Sequence, residues 1–432
     1  MKRILTLLVI LFSCFLIASC GKKEDKTTIT FWHIWPVGNP AFTSIKNIVS
    51  DFNEQQDEYV VKATGYSFWD HIEKIRMALS TNMMPNLGIF TIDDVYHRAS
   101  NNKLLNISEL MANDPNHGID MENFFPNQIE FSKYNGQLYA FPFSATTRLL
   151  YYNLDMFAAA GLTEADVPKT WSELHTVAKK LDIIDGSGNI TQLGFEPSYG
   201  NVNYHCYLWQ KGLDFFDSNL NVTLNTQGHA DVLNWIKDFN NDIPRTKLTA
   251  FGEQNATFGT SPFVAERVAM IVEVDNLHFR INDYGANMNY GVSYIPIPDE
   301  NGIRVNWGSG FSLELYDTGS LTEKQKKGTW EFAKYLMSKE IQLKVAKATG
   351  WLMANKEATE EFVQGDPLLT RIYEEVAYAK DKIYVPYSPN WNGDFGPFWY
   401  SFLNGEITAT EALQQGTNYF NEKKRNWELT RK

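Results

Sequence analysis

Thr28-Ile29-Thr30-Phe31-Trp32 opens the region that decides the fold class, because short apolar strands and amphipathic helices alternate from here onward. The pentapeptide itself alternates and is rich in β-forming residues, which predicts a first strand. Residues 40–52 carry apolar side chains at intervals of three and four, which predicts a helix. The pattern continues with strand 59–64, helix 69–79 and strand 87–90. Strands alternating with helices predict a mostly parallel, two-sided sheet and an α/β fold.

The alternation is less regular beyond residue 136. Residues 138–143 are extended and apolar, and one proline stiffens them. Thr170-Trp171-Ser172-Glu173 has the Thr-x-x-Glu pattern of a capping box and predicts a helix to about Leu181. Two further helices are predicted at 230–240 and 328–337, and two further strands at 268–272 and 290–295. No stretch repeats at a fixed period, which excludes solenoids and propellers.

Length and composition limit the classes of protein that fit. The 432 residues allow two or three domains, and 44% hydrophobic with 21% charged residues excludes whole-chain disorder, collagen and coiled coil. The 39 basic residues against 51 acidic ones give a formal charge of −12, which argues against nucleic acid as a partner. Aromatic residues reach 14%, and their flat faces suit sugar rings or flat apolar ligands.

The first 28 residues predict export and anchoring. Lys2 and Arg3 precede an apolar or small run from Ile4 to Ile17, and residues 1–19 have the pattern of a secretory signal peptide. A short membrane anchor or a buried helix is the alternative, but the run is too short to span a bilayer permanently. Ile17-Ala18-Ser19-Cys20 resembles a bacterial lipobox, so we expect lipidation at Cys20 and a polar tether at 20–28. The mature protein would be lipid-anchored to a bacterial membrane, facing the periplasm or the cell exterior.

Cysteine and histidine content argues against disulfides and metals. Cleavage would remove Cys14 and lipidation would occupy Cys20, which leaves Cys206 without an intramolecular partner. Eight scattered His residues supply no metal-ligand spacing. Residues 185–196 have the spacing of a calcium loop, but Ile190 stands where the sharp turn needs Gly, so we expect a Gly-rich turn there. We therefore predict no metal and no cofactor.

Several stretches, in a consistent order from about residue 28 to 420, carry a resemblance to a known family. They are Ile29–His33, Gly136–Pro142, Leu150–Phe157 with Ala160–Leu162, Pro168–Leu174, Phe263–Ile271, Tyr290–Val292, Thr349–Leu352 and Gly405–Leu413. Together they resemble the family 1 extracellular solute-binding proteins of ABC importers, which include maltose-, oligosaccharide- and glycerol-3-phosphate-binding proteins.

The resemblance implies a periplasmic-binding-protein type II-like fold, with two α/β lobes joined by a hinge and a ligand cleft between them. The implied N-lobe comprises 29–139 and 293–338, and the implied C-lobe comprises 140–292 and 339–432. The three crossings between the lobes would lie near 139–142, 290–293 and 335–341. The resemblance also implies a monomer that binds a small-molecule carbohydrate and delivers it to the transmembrane subunits of an ABC permease.

Three departures from the family pattern bear on the ligand. Pro85-Asn86 stands where Pro-Asp is frequent, and Glu273-Val274-Asp275-Asn276 replaces a frequent Gly-Asn or Gly-Trp. Residues 387–399 contain no Arg or Lys, so the late phosphate-facing Arg of the glycerol-phosphate binders has no counterpart there. This favours a neutral sugar over a phosphodiester, with glycerol-3-phosphate-type ligands as an alternative.

Candidate ligand-binding residues in the first part of the chain follow the three predicted strands. The carboxyl ends of parallel strands meet at one edge of a sheet, where clefts form. The alternatives are core packing for the aromatic residues and stapling of a helix by Trp69. Of the two Asp residues, we expect one to cap a helix and the other to bind sugar hydroxyls. The candidates are Trp32, His33, Trp35, Phe68, Trp69, Asp93 and Asp94.

Later candidates combine hydroxyls, carboxylates, glycines and aromatics. Hydroxyls and carboxylates can hydrogen-bond sugar hydroxyls, glycines permit close approach of the backbone to a ligand, and aromatic rings can stack on it. Scattered surface aromatics are the alternative for the last group. The candidates are Ser144, Thr146, Glu273, Asp275, Trp307, Gly308, Ser309, Gly310, Tyr387, Trp391 and Asn392.

Two other classes of protein compete with a binding protein. Carboxylates near aromatics also describe a glycosidase, with Glu273 and Asp275 as acid and base of a secreted carbohydrate-active hydrolase. A lipoprotein adhesin is the third interpretation, although two α/β lobes are an unusual architecture for one. The strongest matches are lobe-packing and hinge motifs, and no nucleophile elbow or triad pattern is present, so we expect no catalytic residues.

Overall fold

The computed structural model describes residues 26–256, 261–283 and 287–430. The predicted signal peptide at 1–19 and the predicted lipidation site at Cys20 lie outside these residues, as does most of the tether predicted for 20–28. All the predicted helices and strands fall within them.

Fourteen strands lie in the described part of the chain. In chain order they are β1 (Thr27–His33), β2 (Tyr59–Gly65), β3 (Leu87–Thr91), β4 (Lys133–Tyr134), β5 (Gln137–Leu138), β6 (Ala140–Thr146), β7 (Arg148–Asn153), β8 (Ile183–Ile184), β9 (Ile190–Gln192), β10 (Met270–Val274), β11 (Tyr290–Ser293), β12 (Asn306–Trp307), β13 (Ser309–Leu315) and β14 (Ala379–Lys380).

Seventeen α-helices lie in the same described residues. In chain order they are α1 (Phe42–Gln55), α2 (Phe68–Thr81), α3 (Val95–Ser100), α4 (Ile107–Asn113), α5 (Pro126–Phe131), α6 (Leu154–Ala159), α7 (Trp171–Leu181), α8 (Tyr204–Gln210), α9 (Gln227–Asp238), α10 (Arg245–Ala256), α11 (Leu277–Asp283), α12 (Glu323–Met337), α13 (Lys339–Thr349), α14 (Lys356–Val363), α15 (Pro367–Glu374), α16 (Trp391–Leu403) and α17 (Ala409–Leu429).

A five-stranded sheet in the order β2-β1-β3-β13-β6 organises the first lobe. β1 is parallel to β2 and β3, whereas β13 is antiparallel to both β3 and β6. Four of the five strands therefore run in one direction, which confirms the mostly parallel sheet predicted from the alternating pattern. Leu87 and Ile89 of β3 point into one core and Phe90 into the other, so helices cover both faces.

The second lobe is built on the three-stranded sheet β10-β7-β11, in which β7 is antiparallel to both neighbours. Its largest core brings together Leu150 of β7, Trp171 of α7, Phe215 and Trp391. The predicted capping box is confirmed: Thr170 Oγ1 accepts the backbone N–H of Glu173, and Glu173 Oε2 accepts that of Thr170. This closes the N-terminus of α7, which ends at Leu181 as predicted.

The first crossing between the lobes lies later than predicted. We expected it near 139–142, with the second lobe beginning at residue 140, but β6 pairs with β13 inside the first sheet. The next strand, β7, already belongs to the second sheet, so the chain crosses at Thr147. Both faces of β6 are buried. Its sequence is therefore uniformly apolar and does not indicate which sheet it joins.

The other two crossings are also displaced toward the C-terminus. The crossing expected at 290–293 is instead part of β11 in the second sheet, and the chain returns to the first sheet only at Ser309. The crossing expected at 335–341 falls on α12 and α13, which both pack in the first-lobe core through Phe332 and Ile341. The chain leaves that core after Ala354. The first lobe thus comprises 27–146 and 309–354, with the second lobe between and after these segments.

Candidate functional site

A cavity of about 660 Å³ lies between the two lobes. The first lobe contributes α2, the end of β3, α3 and the loop after it, through Arg76, Leu79, Ser80, Phe90, Thr91, Asp93, Asp94, His97, Arg98, Asn101 and Lys103. The second lobe contributes the segment after β14 and the start of α16, through Lys382, Ile383, Tyr384, Pro389, Asn390, Trp391 and Asn392.

The first-lobe wall is positioned by the end of β3. A short 3₁₀ turn, Ile92–Asp94, follows the strand with Ile92 fully buried, so the adjacent Asp93 and Asp94 are left at the sheet edge. Arg98 is also buried and forms a bidentate pair with Glu314 of β13. Its second amino group, Nη1, lies 3.8 Å from Asp94 Oδ2. This buried guanidinium therefore fixes the orientation of α3 against the sheet.

The second-lobe wall is held by Trp391, which is only 2% exposed. The indole Nε1 donates a hydrogen bond of 2.9 Å to the carbonyl of Ile383, and the ring packs 4.8 Å from that of Phe215. Asn392 is tied to α8, since its carbonyl accepts the Tyr204 hydroxyl at 3.0 Å. The wall is thus anchored in the second-lobe core rather than carried on a free loop.

Three contacts join the lobes beside the cavity. Lys382 Nζ lies 3.7 Å from Asp93 Oδ2. The rings of Tyr96 and Tyr384 lie 4.3 Å apart at 31°. Further along, Asn127 Nδ2 donates to the carbonyl of Ala379 at 3.3 Å.

Three of the buried polar atoms that lack a hydrogen-bond partner among the described residues belong to Trp307, to His205 beside it and to Asp93, which is paired with Lys382. They are Asp93 Oδ1, Trp307 Nε1 and His205 Nε2. The His205 ring lies 5.1 Å from the Trp307 ring, and Lys382 Nζ lies 5.1 Å above the same indole. Buried polar groups normally have a hydrogen-bond partner. An acceptor, a donor and a ring nitrogen that all lack one therefore indicate a place for a polar ligand or for water.

Arg148 holds the crossing strands together behind this cluster. Its Nε and Nη2 donate to Asn201 Oδ1, and Nη1 donates to Thr146 Oγ1, the Trp307 carbonyl and Ser309 Oγ. The guanidinium carbon lies 4.0 Å over the Trp307 ring. One side chain therefore links both lobes and two crossings, and a cation–π contact adds to its hydrogen bonds.

Burial dominates the electrostatics of the hinge. It raises the pKa of Asp275 to about 7, against the opposing effects of the Thr147 N–H and Arg148. Burial, reinforced by the charge of Asp93, also raises the pKa of Asp381 well above its ordinary value. Burial and the nearby Lys382 lower the pKa of His205 well below its ordinary value, so its ring is neutral at pH 7.

Four of the predicted site residues line the cavity together: Asp93, Asp94, Trp391 and Asn392. Trp307 is not in the lining but contacts the cluster beside it. The expectation that one of the two Asp side chains caps a helix is wrong. Asp94 occupies the N-cap position of α3, yet its side chain makes no capping hydrogen bond because it turns toward Arg98.

The predicted first-lobe aromatic residues lie outside the cavity lining. His33 and Trp35 are buried in the first-lobe core, where burial and the nearby His71 lower the pKa of His33 to about 4. Trp32 is half-buried against Tyr66. Phe68 and Trp69 begin α2, and Trp69 is 74% exposed. The alternative of core packing therefore describes His33 and Trp35.

The predicted hydroxyl and carboxylate residues hold the hinge. Ser144 is fully buried and its Oγ accepts the backbone N–H of Phe311 at 3.2 Å, while Thr146 Oγ1 is bonded to Arg148 and lies 3.1 Å from Ser309 Oγ. Glu273 accepts the backbone N–H of Val274, and Asp275 accepts that of Thr147. None of these predicted residues belongs to the cavity lining.

Gly308 and Gly310, the glycines predicted to permit close approach to a ligand, serve strand pairing instead. A Cβ on Gly310 would lie 2.0 Å from the carbonyl oxygen of Ser144 on the paired strand β6, and one on Gly308 would lie 2.7 Å from Ala379 Cβ. The expected backbone contact thus goes to neighbouring protein. Tyr387 is likewise buried, with its hydroxyl donating to the carbonyl of Leu220.

Sequence reasoning missed Arg76, Lys103, Lys382 and Tyr384. Arg76 sits within a helix and Lys103 in a loop after one, where isolated cations are ordinary surface residues. Lys382 and Tyr384 fall just before the segment 387–399, whose lack of Arg and Lys favoured a neutral sugar. No local sequence signal marks them, because the two first-lobe cations face Lys382 and Tyr384 across the cavity only in the folded arrangement of the two lobes.

Metals and membrane spans receive no support from the described residues. Within 26–256, 261–283 and 287–430, no three His, Cys, Asp or Glu side chains come close enough to hold a metal ion together. In the same ranges, every helix is too short or too polar to cross a membrane.

Comparison with known proteins is consistent with this geometry. The sn-glycerol-3-phosphate-binding periplasmic protein UgpB of Brucella melitensis biotype 1 is 24% identical over 354 residues, covering 79% of this chain and 78% of its own. The solved structure of CpMnBP1 with mannotriose bound has a TM-score of 0.77 at 20% identity, covering 91% of this chain and 100% of the other. Maltose-bound MalE3 of T. maritima has a TM-score of 0.74 at 17% identity, covering 91% and 99%.

These solved structures share the fold, a pair of α/β lobes with a cleft between them, as the resemblance implied. Residues 47–371 match the family model described as bacterial extracellular solute-binding protein. The match covers well over half of the chain and includes parts of both lobes and the first-lobe wall of the cavity. The chain therefore belongs to the bacterial extracellular solute-binding protein family.

Proposed function

We propose that this protein is the exported, lipid-anchored binding subunit of an ABC importer, and that it captures a carbohydrate in the interlobe cavity and delivers it to a membrane permease. The observation that carries the proposal is the composition of the cavity region. Both lobes contribute a polar wall, the indoles of Trp391 and Trp307 lie in or beside it, and buried donors and acceptors there lack partners. Carbohydrates present hydroxyls that donate and accept, together with apolar ring faces, so they match such a surface.

The cavity also has a suitable size and place. Its volume of about 660 Å³ lies within the ordinary range of small-molecule sites. A ligand that touches Asp93 on one side and Asn392 on the other favours the closed arrangement by its differential affinity for it. Closure would then present a joint surface of both lobes to the permease. The carbohydrates named for the structural neighbours, mannotriose and maltose, support this class of ligand.

The protein is proposed to bind and not to transform its ligand. The two carboxylates that could form a glycosidase pair, Glu273 and Asp275, accept backbone hydrogen bonds at the hinge and do not line the cavity. A second ligand class, glycerol 3-phosphate and its derivatives, is favoured by the names of the UgpB relatives and by the cations Arg76 and Lys103 in the wall.

A ligand screen on the soluble form beginning after Cys20 tests the proposal. Thermal shift followed by calorimetry, with mono- and oligosaccharides, polyols and glycerol phosphates, should reveal saturable binding of one ligand per chain. Chromatography of the same mixtures should show no product. Turnover of a sugar would show that the protein is a hydrolase and not a binding protein. The absence of any carbohydrate binding would refute the proposal.

A further inference from the structure

The charged side chains of the cavity lining fall into two groups. In the first group, each carboxylate has a cation beside it: Lys382 Nζ lies 3.7 Å from Asp93 Oδ2, and Arg98 Nη1 lies 3.8 Å from Asp94 Oδ2. Arg98 is also paired with the buried Glu314. This group therefore offers mainly neutralised, hydrogen-bonding side chains.

The second group consists of two cations of the lining, Arg76 and Lys103, which form no ion pair with a carboxylate in the described ranges. Arg76 of α2 is exposed and forms no hydrogen bond or ion pair with any residue in the described ranges. Lys103 Nζ donates only to the neutral Asn82 Oδ1, at 2.5 Å. His97 and Ser80 lie in the same lining. The cavity wall therefore contains two cations without a carboxylate partner among the described residues.

This arrangement contrasts with the rest of the molecule. The chain has a formal charge of −12, with 51 acidic against 39 basic residues. Two cations without a carboxylate partner in the wall of one cavity therefore differ from the acidic excess of the chain as a whole. Charged hydrogen bonds to an anion are stronger than neutral ones, and Arg matches the oxygens of carboxylate or phosphate with two parallel N–H groups.

We propose that the ligand is an acidic carbohydrate, whose anionic group binds Arg76 and Lys103 while its sugar ring lies toward Asp93, Trp391 and Asn392. This inference rests on the proposed function and narrows the substrate class of the same site. A uronic acid and a phosphorylated sugar share the chemistry that these cations recognise, which is a compact group of anionic oxygens on a polyhydroxyl frame. This proposal replaces the earlier prediction of a neutral sugar, which was based on the absence of Arg and Lys from residues 387–399. The cations that would bind the anion belong to the other lobe.

Matched pairs of probes distinguish the two anion types and the uncharged alternative. We would titrate galacturonic acid and its oligomers against galactose and galacto-oligosaccharides, glucose 6-phosphate against glucose, and sn-glycerol 3-phosphate against glycerol. Each titration is repeated at low and high NaCl, because screening weakens contacts with exposed cations. The variants are Arg76→Gln and Lys103→Gln, with Arg425→Gln and Lys180→Gln as controls on exposed cations outside the cavity lining.

The proposal predicts that an acidic probe binds more tightly than its uncharged counterpart and loses affinity in high salt. Arg76→Gln and Lys103→Gln should each weaken that probe by roughly 3- to 10-fold, since each removes one partly exposed charged contact. Both should leave any uncharged sugar nearly unchanged, and the two controls should match the parent protein. The probe that binds more tightly, the uronic acid or the sugar phosphate, shows whether the anionic group of the ligand is a carboxylate or a phosphate.

The failing outcomes separate the two claims. If uncharged sugars bind as tightly as their acidic counterparts, or if the Arg76 and Lys103 variants bind acidic probes like the parent, the acidic ligand is refuted while the carbohydrate site stands. If no sugar of either kind binds saturably to the folded parent protein, the proposed function fails together with it. Melting temperatures of all four variants establish that they are folded, which their exposed or half-buried positions lead us to expect.

Discussion

Lys382 Nζ lies 3.7 Å from Asp93 Oδ2, and this ion pair joins the two lobes across the candidate cavity. Lys382 follows β14 in the second lobe, and Asp93 follows β3 in the first. About a quarter of each side chain is exposed, so the pair by itself contributes little to stability. The pair places a charged group from each lobe within reach of the same ligand, beside the contact between the tilted rings of Tyr96 and Tyr384.

The contact between Tyr96 and Tyr384 should bias the ligand-free protein toward a closed arrangement. Tyr384→Ala removes a ring pair worth about 0.5–1.5 kcal/mol, which would shift the balance toward open forms by roughly 2- to 12-fold. Small-angle scattering should show a larger radius of gyration for this variant than for the parent. Tyr400→Ala, which removes an exposed ring outside the cavity, should leave the curve unchanged. Identical curves for Tyr384→Ala and the parent would show that this contact does not hold the lobes together.

Trp391 should matter for folding as well as for binding. Trp391→Ala empties a site that is 2% exposed in the second-lobe core, and we expect it to lower the free energy of unfolding by about 3–5 kcal/mol. Trp69→Ala should change that free energy by less than about 0.5 kcal/mol, because the side chain is 74% exposed. Urea denaturation measures both values. Equal stability of the two variants would contradict the burial described for Trp391.

Asp275 should make stability depend on pH. Burial raises its pKa from 3.8 to about 7, so between these values the folded protein binds a proton that the unfolded chain releases. Its contribution is therefore complete in acid and is lost as the pH rises toward 7, by roughly 2–3 kcal/mol between about pH 5 and pH 8. Asp275→Asn removes this dependence, so the variant should gain stability relative to the parent as the pH rises.

Urea denaturation of the parent and of Asp275→Asn between about pH 5 and pH 8 tests whether the parent loses stability relative to the variant as the pH rises. Asp231→Asn, at an exposed position on α9, is the matched control and should follow the parent at every pH. A constant difference between Asp275→Asn and the parent would mean that the Asp275 carboxyl does not titrate in the folded protein within this window.

The lipid anchor predicted at Cys20 can be tested independently of the ligand. Cys20→Ala should block lipidation, so the protein should accumulate as an uncleaved precursor or in the aqueous phase of a detergent partition. The parent should enter the detergent phase, because the acyl chains of a lipidated Cys20 would partition into detergent. Detergent partition of the variant at the level of the parent would refute lipidation at this residue.

The elements of the first lobe could be predicted from the sequence because each has a local signal. The helical spacing of Ile45, Val49 and Phe52 and the short apolar run Leu87–Phe90 correspond to α1 and β3 in the structure. In the second lobe, the capping box at Thr170 likewise predicted the beginning of α7 correctly. The crossings could not be placed in this way, since the pairing of β6 with β13 joins residues more than 160 positions apart.

The candidate site was predictable only in part, for the same reason. Asp93 and Asp94 were found because they follow a strand, and Trp391 and Asn392 because they belong to an aromatic cluster in the sequence. Aromatic composition did not distinguish Trp391 in the cavity wall from Trp35 in the first-lobe core. Arg76 and Lys103 have no local signal at all, because their role depends on the wall that the other lobe brings toward them.

Calorimetric titration of the carbohydrate selected by the screen, with one variant in each wall, tests the central claim most directly. The variants are Asp93→Ala in the first lobe and Asn392→Ala in the second, and Trp69→Ala outside the cavity lining is the control. If the ligand binds between the lobes, each wall variant should lose about tenfold or more in affinity while Trp69→Ala binds like the parent. Parent-like affinity of both folded wall variants would contradict the account and place the ligand elsewhere.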